Sequence, residues 1–211
     1  VVMKPAEQSS LIAAKLMEMI IEAGFPKDVV SFVPGIGEEI GPHLVEHPKV
    51  EIIAFTGSKA VGLDILRKSS IVRPGQQSKK KCIIEMGRKN AMIIDSDADL
   101  DEALSAAIYS AFGFQGQKCS ALSRAIVHAD IYDRFLERIV DAAASIMVLP
   151  PENPQCFVGP VIDKVAFDRI IRTIEEGKKT ARLVFQSEVP LDGYFAPLTI
   201  FADVDPKRSI A

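Results

Sequence analysis

The sequence predicts an α/β fold built on a parallel, doubly wound sheet. Two observations carry this. Short β-branched runs alternate with amphipathic stretches through the first half of the chain, and the links between them are brief. The turns that follow several of these runs are rich in glycine and serine, at the strand ends where such sheets place their ligands.

In order, Val1 to Met3 predict a short buried strand, and Lys4 to Glu7 a polar loop. Ser9 or Ser10 caps a helix whose apolar positions Leu11, Ile12, Leu16, Met19, Ile20 and Ala23 recur at helical spacing, with Gly24 and Pro26 ending it. Val29 to Val33 is a β-branched strand, Glu38 to His47 a helix, and Val50 to Phe55 a buried strand. Thr56-Gly57-Ser58 opens a helix to Arg67. A polar, irregular excursion runs from Ile71 to Lys81 before a strand, Cys82 to Gly87, that carries a carboxylate near its end. Ala91 to Ile94 is a strand, and the acidic run from Asp95 to Asp101 caps a long helix through Ala111. That helix is Ala-rich and apolar nearly all round, which predicts burial. Arg124 to His128 resumes a strand, Tyr132 to Met147 and Ile162 to Glu176 are helices, and Leu183 to Phe185 and Pro197 to Phe201 are further strands.

Composition narrows the function classes. A 211-residue chain has room for one large domain or two small ones, and 48% hydrophobic with 25% charged residues is an ordinary globular balance. The net charge of −3 and the lack of a basic stripe with interleaved aromatics argue against nucleic acid. No apolar run is long enough for a membrane span and no signal peptide is visible, so no membrane partner is expected. Three cysteines, Cys82, Cys119 and Cys156, at unrelated spacings argue against a disulfide framework or a metal site and for a reducing cytoplasm. Val1 starts as a strand already in progress, and the chain stops soon after a strand-like segment, as an internal piece of a longer protein would.

The stretch Ala111 to Arg124, AFGFQGQKCSALSR, is where chemistry concentrates. Cys119 sits among polar and small residues with Lys118 beside it, and Gly113 and Gly116 leave room for backbone to approach a ligand. A thiolate is a strong nucleophile; a buried free cysteine is the plainer alternative, and the local sequence leaves both open. Gly35 to Gly41 misses a dinucleotide fingerprint by one residue and reads as a tight turn. Ser58, with the free amides of its helix start, can receive a phosphate or simply cap the helix.

Taken together, ordered blocks resemble the NAD(P)-dependent aldehyde dehydrogenase superfamily: KPAEQS from Lys4, PGIG from Pro34, FTGS from Phe55 with Val61-Gly62, EMGRKN from Glu85, and GQKCS from Gly116. Thirty-four residues separate Glu85 from Cys119, which also fits, and the likeness covers essentially the whole chain. Within the superfamily, AFGFQGQKCSA, the Arg73 to Gln76 excursion and the Ile94 to Asp99 run are similar to the 1-pyrroline-5-carboxylate dehydrogenase branch, which oxidises glutamate γ-semialdehyde to glutamate.

The resemblance implies a division into a partial NAD-binding domain, 1–86, and a partial catalytic domain, 87–211. It implies Cys119 as nucleophile and Glu85 as the general base that activates the hydrolytic water. Lys4 and Glu7 would hold the adenosine ribose, and Ser58 with Gly57 and the helix amides the pyrophosphate. Gly37 and Val61 would border the adenine, and Met86 would complete the cofactor wall. Ser120 would touch substrate. A carboxylate at Glu7 repels a 2′-phosphate, so NAD is expected over NADP. The small-molecule aldehyde is the expected partner, with a homo-oligomer in the full-length parent. Arg88 stands where the family places glycine. The family's oxyanion-stabilising asparagine and a second ribose glutamate fall outside these residues, so an isolated fragment is expected to be inactive. Two other readings compete: a catalytically inactive relative acting as a binding module, and a cofactor-free cysteine hydrolase, which the absence of a histidine near Cys119 in sequence disfavours.

Overall fold

The computed structural model describes residues 1–87 and 89–210. The chain divides into two compact units, Val1–Met86 and Gly87–Ala211.

In the first unit, β1 (Val2–Met3) pairs in parallel with β2 (Ser31–Phe32), and α1 (Ser10–Glu22) lies between them in sequence. Strand β3 (Ile52–Gly57) pairs in parallel with β4 (Lys81–Met86), Ile52 opposite Lys81 through Gly57 opposite Met86. Helices α2 (Gly37–Glu46) and α3 (Lys59–Ser69) complete the unit. The strand expected over Val29 to Val33 is only two residues long, because Val29 donates its N–H back to Pro26 in a turn. For a similar reason β3 starts two residues later than the apolar run: the Val50 N–H closes a turn onto His47.

In the second unit, β5 (Asn90–Ile94) pairs in parallel with β6 (Leu122–Val127), α4 (Leu100–Phe112) lying between them in sequence. Helices α5 (Tyr132–Ala144) and α6 (Lys164–Thr180) follow, then β7 (Arg182–Gln186) and β8 (Thr199–Ala202). The core joins Ile94, Leu100, Leu104, Ala107, Ile131, Phe135 and Ile139. The helical positions repeat at three and four residues, so α4 and α5 each present one stripe inward, and each large side chain there contributes about 1.5–3 kcal/mol on burial. Asp99 caps α4 by accepting from the N–H groups of Asp101 and Glu102.

The α/β class with parallel strands is what the alternation implied, with two differences. Among the described residues the parallel strands occur as three separate pairs, and β7–β8 is antiparallel, Arg182 opposite Ala202. No helix lies between β7 and β8, and antiparallel pairing needs no crossover helix. And α4 is not buried all round: Leu100, Leu104 and Ala107 are buried while Tyr109 is 65% exposed, because within the unit it packs along one side, against α5 and β6.

Candidate active site

The loop that carries Cys119 begins where α4 ends. Phe114 and Gln115 both take left-handed backbone angles, φ 55° and 56°, and Gly116 follows at φ 64°. Such a run is costly for residues with a Cβ, roughly 1–2 kcal/mol each, and only Gly116 is suited to it. At Gly116 a side chain would also meet the carbonyl of Ala111, 2.8 Å from an added Cβ. This reversal carries the chain off α4 and into a turn closed by the Ala121 N–H donating to the Lys118 carbonyl at 3.1 Å. Cys119 and Ser120 are the two corner residues of that turn, and both side chains are exposed. Cys119 is a free thiol and has no hydrogen-bond partner on its sulfur among the described residues. The buried-cysteine alternative is therefore not what the fold adopts.

Lys118 turns its ammonium onto the ring of Tyr109, 4.8 Å from the centroid. Its charge is thereby anchored to α4. The other two thiols are engaged: Cys82 Sγ donates to Ser69 Oγ at 3.1 Å and Cys156 Sγ to the Leu149 carbonyl at 3.0 Å.

One contributor escaped the sequence reading. Asn90, at the start of β5, donates from Nδ2 to the Cys119 carbonyl at 2.7 Å and to the Ala121 carbonyl at 3.1 Å. Asn90 lies inside the EMGRKN block, so the block was visible, but nothing local assigns a strand-edge asparagine to a turn 29 residues away. Beside it, Arg124 donates to the Lys89 carbonyl at 2.6 Å. Desolvation, with the Arg124 charge adding to it, holds the Lys89 ammonium below the ordinary lysine range. A cavity of about 270 Å³ adjoins this loop, lined in part by Lys89, Phe112, Gln115, Gln117 and Leu198.

In the first unit, Glu7, Lys4 and Gly37 come together. Glu7 Oε1 accepts from the Gly37 N–H at 2.6 Å and from Lys4 Nζ at 3.0 Å, while Lys4 also donates to the Pro5 carbonyl at 2.8 Å. The carboxyl is lowered from 4.5 to about 2 by its own backbone N–H, by Lys4 and by the Gly37 N–H. Ser58 caps α3, its Oγ accepting from the Val61 N–H at 3.3 Å, so it is an N-cap whether or not it also meets a ligand. The first amides of α3, at Lys59 and Ala60, have no intrahelical partner by position. Gly57 ends β3 under the Phe55 ring, 2.4 Å from where a Cβ would stand. Met86 packs on Gly62 of α3, its Sδ 2.8 Å from an added Cβ there. Val61 is 47% exposed. Glu85 lies opposite Thr56 on the exposed face of β4, with no ion pair or side-chain hydrogen bond among the described residues. Arg88, the departure noted in the sequence, lies outside the described residues. Among the described residues, no helix is long and apolar enough to cross a membrane, and no group of three or more His, Cys, Asp or Glu could hold a metal ion.

The chain is 48% identical over all 211 residues to 1-pyrroline-5-carboxylate dehydrogenase 1 of Halalkalibacterium halodurans, and 48% identical to 1-pyrroline-5-carboxylate dehydrogenase 2 of Bacillus subtilis. In each case it covers 100% of this chain and 41% of the relative, so the chain spans about two-fifths of the length of these curated relatives. Among solved structures, it matches proline utilization A (PutA) from Bdellovibrio bacteriovorus inactivated by N-propargylglycine, with a TM-score of 0.97 and 58% identity, over 100% of this chain and 22% of that one. It matches 1-pyrroline-5-carboxylate dehydrogenase from Thermus with bound NAD at a TM-score of 0.95 and 42% identity, over 100% of this chain and 41% of that one. The model of the aldehyde dehydrogenase family matches residues 1–211. The chain belongs to the aldehyde dehydrogenase family.

Proposed function

We propose that this chain carries the nucleophile, the general base and part of the cofactor site of an NAD-dependent aldehyde dehydrogenase whose substrate is glutamate γ-semialdehyde, oxidised to glutamate. The observation that carries the reading is the setting of Cys119: a free, exposed thiol at the corner of a turn held by the rest of its unit.

Cys119 Sγ, as thiolate, adds to the aldehyde carbon, and the carbonyl oxygen takes up a proton to give a thiohemiacetal. That carbon then gives up its hydrogen as hydride, the hydroxyl loses its proton, and a thioester remains. Glu85 accepts a proton from water, whose oxygen attacks the thioester; the carboxylate product leaves and the sulfur is regenerated. NAD, when bound, supplies the acceptor for the hydride. Ser120, next to the nucleophile and exposed, would contact the substrate.

The residues present fit the cofactor. At Gly37 an added Cβ would stand 3.3 Å from Glu7 Oε1 and 3.4 Å from Lys4 Nζ, so glycine leaves more room beside that pair than any other residue. Lys4 and Glu7 would hold the ribose hydroxyls, with the negative charge on Glu7 disfavouring a 2′-phosphate. Ser58, Gly57 and the first amides of α3 would take the pyrophosphate. Gly37 and Val61 would border the adenine, and Met86 would close the wall. Relatives named as 1-pyrroline-5-carboxylate dehydrogenases, and the Thermus structure with bound NAD, support both halves of the reading. On the same reading the enzyme is cytoplasmic and homo-oligomeric in its full-length form.

The test is NADH formation by the full-length protein with glutamate γ-semialdehyde, followed by absorbance. Cys119→Ala should abolish turnover, and Glu85→Gln should leave a single burst of NADH with slow release of product. Turnover that survives Cys119→Ala overturns the reading. NAD binding without any turnover in the parent would leave the chain as a binding module instead.

A further inference from the structure

We infer that Asn90 is a positioning residue that sets the nucleophile through its backbone; the inference rests on the reading of Cys119 as that nucleophile. A side-chain amide has two N–H hydrogens, and both of Asn90's are used on the Cys119 turn, on the Cys119 carbonyl at 2.7 Å and the Ala121 carbonyl at 3.1 Å. The turn itself is closed by one backbone hydrogen bond, from Ala121 to Lys118. Without Asn90 that single bond, in a solvent-exposed loop, would be left to fix the peptide plane next to the thiol.

The neighbouring ladder is built around this clamp. Asn90 lies opposite Leu122, but the next residue, Ala91, lies opposite Arg124, so Ser123 is an extra residue on β6. A bulge of this kind bends its strand and re-aims what precedes it. The shift falls at Asn90, whose side chain reaches the turn before β6. Arg124, just past the bulge, ties the two strands again at the Lys89 carbonyl. The two hydrogen bonds from Asn90 and the one from Arg124 thus hold the segment that delivers Cys119. Aspartate has the shape of asparagine but no N–H, and it would turn a carboxylate oxygen toward two carbonyls.

A reacting group displaced by about an ångström loses on the order of a hundredfold in rate. In the full-length protein, Asn90→Asp should lower kcat by about ten- to a hundredfold with KM for the aldehyde nearly unchanged, because substrate contacts remain while the attack geometry is lost. Asn90→Gln, which keeps the donor on a longer arm, should recover part of that loss. A merely structural role would lower the amount of folded enzyme, not split kcat from KM. Independently of turnover, amide hydrogen exchange of the 118–123 peptide, read by mass spectrometry, should quicken in Asn90→Asp while peptides of α5 stay unchanged. A kcat within twofold of the parent, or unchanged exchange in that peptide, overturns the inference. If the parent itself shows no aldehyde oxidation, the proposed function fails, and the exchange measurement still decides whether Asn90 clamps the turn.

Discussion

Gly37 donates its backbone N–H to Glu7 Oε1 over 2.6 Å, so a carboxylate 30 residues upstream caps α2 where Ile36 has no side-chain oxygen to offer. The negative charge meets the positive end of the helix dipole, and Lys4 holds the same oxygen from the other side. One side chain thus joins the loop after β1 to the start of α2, at the place proposed for the cofactor ribose.

Glu7→Gln tests both roles. The folded carboxyl is lowered from 4.5 to about 2, so the folded state favours the charged form. Its contribution to stability is therefore complete above pH 4.5 and is lost as the pH falls from 4.5 toward 2. The difference in melting temperature between the parent and Glu7→Gln should be constant from neutral pH down to that window, then shrink within it. Calorimetric titration of the same pair should show the preference for NAD over NADP narrowing in Glu7→Gln. Equal affinities for the two cofactors in the parent would remove Glu7 from that role.

Limiting iodoacetamide followed by peptide mapping should label Cys119 ahead of Cys82 and Cys156. Cys119 is exposed, whereas the other two are half-buried with their thiols hydrogen-bonded to Ser69 and Leu149. First labelling at Cys82 would contradict the assignment of the reactive thiol.

Gly116→Ala should destabilise the second unit and disturb the Cys119 loop. The backbone there is left-handed, at φ 64°, and the new Cβ would fall 2.8 Å from the Ala111 carbonyl. The conformational part alone is worth about 1–2 kcal/mol, with the steric clash added to it. Urea unfolding should report a lower midpoint with an unchanged slope. Gly113→Ala is the contrast, since its added Cβ meets only the Tyr109 ring at an ordinary 3.7 Å, and its φ of −55° suits any residue.

The helices were legible because their causes are local. Leu100, Leu104 and Ala107 mark one face of α4 at helical spacing, Asp99 supplies its cap from the adjoining position, and Phe135, Ile139 and Ala143 do the same for α5. Strand ends were less so: Val29 and Val50 have strand composition, but each N–H closes a turn instead. The composition of α4 pointed to burial all round, yet composition says nothing about how many sides are covered, and Tyr109 faces out.

By itself the sequence determined the alternating elements, the caps adjoining them and the small, polar setting of Cys119, because each depends on residues within a turn or two of one another. Tertiary structure alone decided that Glu7 caps α2, that Asn90 holds the carbonyls flanking the Cys119 corner, and that β7 and β8 run antiparallel. Those partners lie 30, 29 and 31 residues apart for the two side chains. A hydrogen bond of that reach forms only where the chain returns to the same place, and that return is set by which apolar faces pack together, not by the spacing of the donor and acceptor along the sequence.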